Sequence, residues 1–543
     1  MQFLADLLSA LLNATIIGFA LLILVLGAQD DLQDAVPQAD LDSAPPTVVA
    51  AGDTPRSVIV HLFEWRWDDI AAECEGFLGA AGYGAVQVSP PNEHRRVAGG
   101  PWWQRYQPVS YALESRSGDA DAFADMVRRC AAAGVKIYAD AVINHMTGPP
   151  FAEDPLWGIG SSGSPYDYYD YPGLLPGDFH SPRCDVDGRY TDRAAVQRCN
   201  LGARADLNTD ADRVQNRIGN YLNTLVKLGV AGFRIDAAKH MAAADIAGVL
   251  ARVQGLPFVY QAFSEQPGDA VRISEYLGNG AVTELDYSRR LAAAFRAGDI
   301  GVLRNLQPGL GADDLVPGER AVVFVDSHES RRAPLAAGGG TALLSPADGP
   351  LYHLANLYML AWPYGTPRVI SGYAFSDAGA GPPTDTEGKT QPVHGPDGLG
   401  CGNAWHCEHR HPAIAGMVGF RNHVGDAELA NWWNDDVGRI AFGRGERGFV
   451  VINNTDEPMR QWLRTGLPAG RYCNAVVSRA ASGACVLHGV PRADAQDASG
   501  SEDAKVAEQV LEVNIREDTG ATFEVPPRGA VAIHVGSQPS VGQ

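Results

Sequence analysis

The stretch GFRIDAAKH, residues 232–240, decides the fold that we predict for the chain. The apolar run at 230–235 is typical of a buried parallel strand, and the charged residues Arg234, Asp236 and Lys239 lie at its end. A carboxylate at the C-terminal tip of a barrel strand lies where (β/α)8 enzymes hold their catalytic groups. Asp236 taken alone could equally cap the following helix, so the rest of the chain has to decide.

Seven further apolar runs alternate with amphipathic helical stretches in the same way. The predicted strands are 57–63, 85–90, 135–142, 232–237, 258–263, 281–285, 321–327 and 366–373. Predicted helices between them include 67–81, 121–133, 211–228 and 352–362. Eight parallel strands with crossover helices predict an α/β fold, a (β/α)8 TIM barrel.

Two regions depart from this alternation. Residues 145–206 are rich in Tyr, Gly, Pro and Asp and are too long for a turn, which predicts a small domain inserted after strand 3. After about residue 421 the pattern alternates with period two, which predicts a C-terminal antiparallel β-sandwich with an acidic solvated loop at 494–509. The expected domains are 1–28 (signal peptide or anchor), 29–54 (linker), 55–143 and 207–427 (barrel), 144–206 (insert) and 428–543 (sandwich).

The N-terminal segment is the part of the sequence with two open interpretations. Residues 7–28 are apolar, and a Pro/Ala/Asp-rich tether that we expect to be disordered follows at 29–54. The apolar run fits a cleaved signal peptide or an uncleaved membrane anchor equally well. Both interpretations predict a secreted or extracytoplasmic protein that meets a membrane only through this segment.

Composition excludes some partners and favours an oxidising compartment. The 543 residues carry a formal net charge of −21, which argues against nucleic acid or anionic membrane as a partner. The eight cysteines include three pairs that are close in sequence (184/199, 401/407 and 473/485), and Cys74 and Cys130 remain on predicted helices. An even count without any CxxC motif favours disulfides over zinc.

Several longer motifs resemble the alpha-amylases, specifically the animal-type, chloride-dependent branch of that glycoside hydrolase family. The matching runs are VHLFEWRW (60–67), GAVQVSPPNE (84–93), PWWQRYQPVSY (101–111), DAVINHM (140–146), GVAGFRIDAAKHM (229–241), EYLGNGAVTE (275–284), CGNAWHCEHR (401–410) and NWWNDDVGRIAFGRGERGF (431–449). The resemblance implies a barrel, a calcium-bearing insert, a C-terminal sandwich and an α-1,4-linked glucan as substrate. We expect the protein to be a monomer.

The resemblance also implies roles for individual residues. Asp236 matches the nucleophile of a retaining hydrolysis, which needs a second carboxyl group roughly 5 Å away, and Arg234 would keep it ionised. Aromatic faces for sugar rings and hydrogen-bonding groups for sugar hydroxyls would come from Trp102, Trp103, Tyr106, Gln107, His145, Lys239, His240 and His328. The adjacent tryptophans could instead pack in a core, but the Pro-flanked PWWQRYQP favours a loop.

Two inorganic ions are implied in the same way. Calcium would be held by Asn144, Asp206, the main chain of His240 and Gln197, which stands where an Arg is usual; the alternative for the first two is turn hydrogen bonding. Chloride would be bound by Arg234 and Arg368, although Ser327 stands where an Asn is usual.

The sequence departs from the family at the centre of its chemistry. In the run FVYQAF the proton-donor position is Ala262, and a methyl group cannot protonate a leaving oxygen. Glu265 lies three residues further on, Glu329 replaces the third carboxylate, an Asp, and the usual His is absent from RAPLAAGGG (332–340). Three hypotheses follow: an alpha-amylase with impaired turnover, a non-catalytic glucan-binding protein, and a membrane-anchored amylase-like scaffold.

Overall fold

Eight parallel strands close into a barrel in chain order, as the sequence predicts. The computed structural model describes residues 56–151, 154–255, 257–309, 314–332, 343–395, 398–402, 404–481, 484–488 and 510–539. The barrel strands are β1 (Ile59–Leu62), β2 (Ala85–Val88), β3 (Lys136–Ala141), β4 (Gly232–Ile235), β5 (Phe258–Gln261), β6 (Ala281–Thr283), β7 (Ala321–Phe324) and β8 (Thr366–Ser371). Pairing of β1 with β8, Ile59 opposite Arg368, closes the ring.

Helices surround the barrel at the predicted places. They are α1 (Trp67–Glu73), α2 (Gly79–Ala81), α3 (Ala120–Ala132), α4 (Arg193–Arg198), α5 (Asp212–Lys227), α6 (Ala243–Leu250), α7 (Leu285–Ala297), α8 (Pro350–Ala361) and α9 (Pro412–Val424). The predicted helix 67–81 is interrupted by a π-helical turn, Cys74–Leu78, between α1 and α2. The strand and helix predictions are otherwise confirmed, with ends that differ from the predicted ones by a few residues.

The segment between β3 and β4 folds over the carboxyl ends of the strands. A bridge between His145 and Asp206 brings its two ends together, and a second bridge pairs Asp185 with Asn200. Its buried aromatic side chains join the same apolar core as the barrel: Tyr166, Tyr169, Tyr171 and Phe179. The insert is therefore packed onto the barrel as one wall of the region where the strands end.

The C-terminal part is made of antiparallel sheets, as predicted. The strands are β9 (Leu429–Asn434), β10 (Arg439–Arg444), β11 (Gly448–Asn453), β12 (Met459–Arg464), β13 (Gly470–Cys473), β14 (Ser478–Ala481), β15 (Ala484–Leu487), β16 (Glu512–Ile515), β17 (Gly520–Val525) and β18 (Gly529–His534). A four-stranded sheet has the order β18-β11-β10-β9, and three further pairs are β12 with β17, β13 with β16 and β14 with β15. Phe449 and Val451 pack against Met459, Phe523 and Val525, which forms the core between the layers.

Both faces of the four-stranded sheet are buried. Along β10, Ile440 and Phe442 belong to the barrel's core, whereas Ala441 between them belongs to the core of the sandwich. The Phe442 ring lies 5.3 Å from Trp362 and 5.9 Å from Tyr358, which lies on α8. The barrel and the sandwich therefore share a continuous apolar contact.

The three disulfides predicted from nearby cysteines are present, Cys184–Cys199, Cys401–Cys407 and Cys473–Cys485, and the two remaining cysteines form a fourth, Cys74–Cys130. No helix in the described part of the chain has the length and apolar character needed to cross a membrane. The apolar run 7–28, the tether 29–54 and the acidic loop 494–509 lie outside the described residues.

Candidate active site

A cleft with a cavity volume of about 380 Å³ lies at the carboxyl ends of the barrel strands. The predicted site residues that line it are Trp102, Trp103, Tyr106, His145, Arg234, Asp236, Lys239, His240, His328, Glu329 and Arg368. Gln107 is not among the lining residues: its Oε1 accepts hydrogen bonds from Arg95 Nη1 at 3.2 Å and from the Gly148 amide at 2.9 Å. The barrel topology thus gathers residues that lie far apart in sequence.

Asp236 follows β4 directly and is held by charge. Arg234 Nη1 donates to Asp236 Oδ1 at 2.9 Å and to both oxygens of Asp140, at 2.6 and 2.8 Å. Burial, with a contribution from Asp236, raises the pKa of Asp140 to about 6, although Arg234 opposes this. The next helical turn begins after Ala237, which has a φ of 50°, and has no side-chain cap. Asp236 is therefore a cleft carboxylate and not a helix cap.

Stacked rings form one wall of the cleft. His328 stacks on Tyr106 with a centroid distance of 5.3 Å and on Phe63 with a distance of 4.8 Å. Neither ring nitrogen of His328 has a partner among the described residues, and burial, followed by Arg234, holds its pKa well below the usual range. A neutral imidazole with free nitrogens can exchange hydrogen bonds with a ligand's hydroxyls.

The tryptophan pair lies on a short 3-10 helix, Trp102–Tyr106. Both tryptophans line the cleft and are half-buried, in contrast to the fully buried Trp65 and Trp67 of the core. The indole N–H of Trp102 donates to the Ala378 carbonyl at 2.9 Å, which fixes its ring. This placement favours a sugar platform over core packing.

Three further polar residues of the cleft, Lys239, His145 and His240, have protein partners. Lys239 Nζ donates to the Ser264 carbonyl at 2.8 Å and forms an ion pair with Asp269. His145 Nε2 contacts the Tyr106 carbonyl at 3.1 Å, and His240 Nδ1 contacts the Val196 carbonyl at 2.9 Å. Burial lowers the pKa of His145 to about 3 and that of His240 to about 4, so both rings are neutral near pH 7.

Ala262 lies at the end of β5 and lines the cleft. Glu265 does not take its place: its carboxylate pairs with Arg272 Nη2 at 2.7 Å and accepts from the Ile273 amide at 2.6 Å, and it is not a lining residue. The described carboxylates that line the cleft are Asp236, Asp269 and Glu329, of which Asp269 is paired with Lys239.

Glu329 is exposed to the interior of the cleft. The loss of surrounding water there raises its pKa; Arg234 opposes this shift and Asp236 adds to it. Arg204, a residue not predicted from the sequence, also lines the cleft and interacts electrostatically with Asp236 and Glu329. The sequence feature that could have pointed to Arg204 is its position two residues before the predicted calcium ligand Asp206.

The residues predicted for chloride fit an anion. Arg234 and Arg368 line the cleft, and the buried Nε of each has no hydrogen-bond partner in the described part of the chain. Arg368 Nη1 donates to Gln87 Oε1 at 3.2 Å, and this guanidinium forms no ion pair with a described residue. Two buried guanidinium groups with free donors are suited to an anionic ligand.

The residues predicted for calcium fit a hard cation. Asp206 Oδ2 is 2.6 Å from His180 Nδ1, whereas its buried Oδ1 has no partner among the described residues. The described residues contain no cluster of three or more His, Cys, Asp or Glu suited to a metal, so amide and main-chain oxygens would supply the other ligands. The other predicted ligands are brought close by their chain neighbours. Asn144 precedes His145, whose backbone forms a bridge with Asp206. Gln197 follows Val196, whose carbonyl oxygen contacts the His240 ring.

Comparison with known proteins finds alpha-amylases that match nearly the whole described chain. A family model of the alpha amylase catalytic domain matches residues 77–267, and one of the alpha amylase C-terminal all-beta domain matches residues 431–536. The chain is 42% identical to an alpha-amylase from Tenebrio molitor over 476 residues, covering 85% of this chain and 97% of that protein. It is 41% identical to alpha-amylase 1B from Homo sapiens, covering 79% and 89% of the two chains.

A solved structure is similar as well. A glutamine variant of alpha-amylase I from Eisenia fetida, in complex with maltohexaose, has a TM-score of 0.77 and 36% identity, covering 89% of this chain and 98% of that one. Together with the barrel, the cleft and the C-terminal sheets, these matches confirm the resemblance. The chain belongs to the alpha-amylase family of glycoside hydrolases.

Proposed function

We propose that this protein binds α-1,4-linked glucan in the barrel cleft and hydrolyses it far more slowly than an ordinary alpha-amylase. The observation that carries the proposal is Ala262, which lines the cleft where the family has its proton donor, with Glu265 paired to Arg272 outside it. The half-buried Trp102 and Trp103 support glucan binding, and so do the ring nitrogens of His328, which have no hydrogen-bond partner among the described residues. The maltohexaose bound to the similar amylase indicates the class of ligand.

The proposed reaction retains the anomeric configuration. Asp236, which accepts a hydrogen bond from Arg234, attacks C1 of the sugar, and Glu329 stabilises the positive charge that develops on the ring. The C1–O bond breaks, and the leaving oxygen takes its proton from water because no side chain supplies one. The hydroxide that remains attacks C1, the bond from C1 to Asp236 breaks, and the carboxylate is restored. A positioned general acid contributes about 10²–10⁴-fold to such a step, and we expect hydrolysis to be reduced by at least this factor.

Restoring the carboxyl group tests the proposal directly. We expect Ala262→Glu to raise kcat on maltoheptaose by about 10²–10⁴-fold, because the new acid supplies the missing proton. Ala262→Gln is the matched control: it has nearly the same shape but cannot donate an acidic proton, and it should leave kcat within a few-fold of the unaltered protein. Ordinary starch hydrolysis by the unaltered protein would contradict the proposal.

A glucan-binding protein without turnover is the second candidate, and the same observation at Ala262 favours it. Titration calorimetry with maltoheptaose tests whether the protein binds glucan, which both the slow enzyme and the binding protein require. We expect binding in both cases. Slow release of reducing ends, abolished by Asp236→Asn, identifies the enzyme, and binding with no release identifies the binding protein.

We propose that calcium and chloride bind in their predicted places. Calcium would be held by Asn144, Asp206 and the main chains of Gln197 and His240, where it would tie the insert to the barrel. Chloride would be held by Arg234 and Arg368, where it would adjust the charge beneath Asp236 and Glu329. These assignments are supported by Asp206 Oδ1 and by the Nε atoms of the two arginines, all of which are buried without a hydrogen-bond partner in the part of the chain that the structure describes.

We propose an extracytoplasmic location and a monomeric state. The four disulfides in the described residues support the location, since disulfides persist in oxidising compartments. Fractionation of expressing cells tests the location, and light scattering of the purified protein tests the monomer.

A further inference from the structure

We propose that the cleft accepts α-glycosyl phosphates, and that Arg204 binds the departing phosphate. This inference rests on the proposed function, because it assumes that the cleft binds α-linked glucosyl units beside Asp236. It concerns the class of leaving group: without an acid at residue 262, the favoured donors are those whose leaving group needs no proton from the protein.

Arg204 belongs to the insert and lines the cleft, and its guanidinium has a hydrogen-bond donor that no described residue accepts from. Its Nη1 donates to the Leu201 carbonyl at 2.9 Å, while its buried Nε has no hydrogen-bond partner among the described residues. The side chain lines the same cavity as Asp236, Ala262 and Glu329. A guanidinium with a free, buried N–H that faces a ligand cavity is suited to bind a phosphate oxygen.

The other cations of the cleft do not compete for this role. Arg234 is held by Asp140 and Asp236, and Lys239 is held by Asp269. Arg368 forms no ion pair with a described residue, but it lies on β8 and donates to Gln87 of the barrel interior. Arg204 is therefore a cation that the insert adds to the cleft and that forms no ion pair with any described residue.

Two acids of the cleft act on the charge of Arg204. Asp236 and Glu329 interact electrostatically with its guanidinium and oppose the lowering of its pKa by burial. Neither acid forms an ion pair with Arg204 among the described residues, so its Nε–H remains available to a ligand.

The reaction balances without a protein acid. In the monoanionic donor, the phosphate carries its own proton; Asp236 Oδ forms a bond to C1, the C1–O bond breaks, and its electron pair leaves with hydrogenphosphate. Water then attacks C1, the C1–Oδ bond breaks to restore the Asp236 carboxylate, and the proton released from water passes to the hydrogenphosphate. The products are the free sugar and dihydrogenphosphate.

The experiment compares three donors on the unaltered protein: α-maltosyl phosphate, α-maltosyl fluoride and maltotriose. We expect kcat/KM for the phosphate and the fluoride to exceed that for maltotriose by at least about 10²-fold, because neither needs the missing acid. Asp236→Asn should abolish both reactions. Phosphate turnover should fall as the pH rises above about 6, where the donor loses its proton, whereas fluoride turnover should not.

The contribution of Arg204 to phosphate binding is measured by comparing kcat/KM for the phosphate donor with kcat/KM for the fluoride donor. Arg204→Met should lower the ratio of kcat/KM for the phosphate to that for the fluoride by about 10–100-fold, the effect of a lost charged hydrogen bond. Arg204→Lys should recover part of the ratio, because it keeps the charge but loses the planar fork. Circular dichroism and Tm establish that both variants fold.

Failure of the inference can be told from failure of the proposed function. If maltoheptaose binds but neither the phosphate nor the fluoride reacts faster than maltotriose, the inference is wrong and glucan binding stands. An unchanged phosphate-to-fluoride ratio in Arg204→Met would overturn the assignment of Arg204. If maltoheptaose does not bind at all, the proposed function fails first.

Discussion

At the scale of single residues, the cleft combines groups kept from the family with groups that depart from it. Asp236, His328 and Ala262, where we propose that a proton donor is missing, line the cavity, and Arg204 brings a guanidinium to it. The sequence predicted the first three because they lie in motifs with a known pattern. It did not predict Arg204, because its importance depends on how the insert folds over the strands, and no local pattern specifies that.

The tryptophan platform gives a prediction at this scale. Trp103→Ala should weaken maltoheptaose binding by about tenfold, since an aromatic contact contributes about 0.5–1.5 kcal/mol beyond its buried area. Trp462→Ala is the matched control, because Trp462 is 45% exposed on a strand of the C-terminal sandwich. Titration calorimetry measures maltoheptaose binding by both variants. Equal affinities would contradict the assignment of Trp103 to a sugar-binding platform.

At the scale of elements, the barrel strands were predictable because each is a short apolar run followed by polar residues. All four residues of β1, β2, β4 and β7 are buried, which is the pattern of a parallel strand covered by helices. The π-helical turn Cys74–Leu78 was not predictable, because hydrophobic periodicity does not distinguish one widened turn from a continuous helix.

The Cys74–Cys130 disulfide gives a prediction for the first helical layer. It links the π-helical turn to α3 across 56 residues of sequence, whereas Cys401–Cys407 closes a loop with a separation of only 6. Loop-closure entropy predicts that removing the first bridge, with Cys74→Ala and Cys130→Ala, lowers the free energy of unfolding by about 4 kcal/mol, against about 2 kcal/mol for the second. Urea denaturation of the two double variants measures the difference; a larger loss from the short loop would contradict it.

At the scale of the whole molecule, a buried ionic cluster joins the beginning of the barrel to its end. Glu73 on α1 accepts hydrogen bonds from Arg410 Nε at 2.7 Å, and its Oε1 lies 2.8 Å from His409 Nε2, beyond β8. Burial raises the pKa of Glu73, but His409 and Arg410 more than offset this and hold it at about 2. The sequence did not reveal this cluster, because its members lie more than 300 residues apart.

The cluster predicts an acid dependence of stability. Because the folded-state pKa of Glu73 is below its ordinary value of 4.5, its stabilisation is complete above pH 4.5 and is lost as the pH falls towards 2. The pKa difference corresponds to about 3 kcal/mol. Glu73→Gln should lower Tm at pH 7 and flatten the decline of Tm in acid.

The neighbouring Glu75 provides the control for that experiment. It pairs with Arg129 at the surface, with about half of its side chain exposed. Glu75→Gln should change Tm at pH 7 by little, because exposed ion pairs contribute about 0–1 kcal/mol. Equal losses in the two variants would show that burial of the Glu73 cluster has no special effect.

The double-sided burial of the four-stranded sheet has a consequence for any attempt to shorten this protein. Cutting the chain ahead of β9 would leave Tyr358 and Trp362 of the barrel without the cover of Phe442, and would leave one side of the detached sheet bare. Neither fragment would stay dispersed in water. Deleting either part would therefore promote aggregation of the other. The barrel and the sandwich should be soluble only when they are expressed together, and they should unfold in one thermal transition.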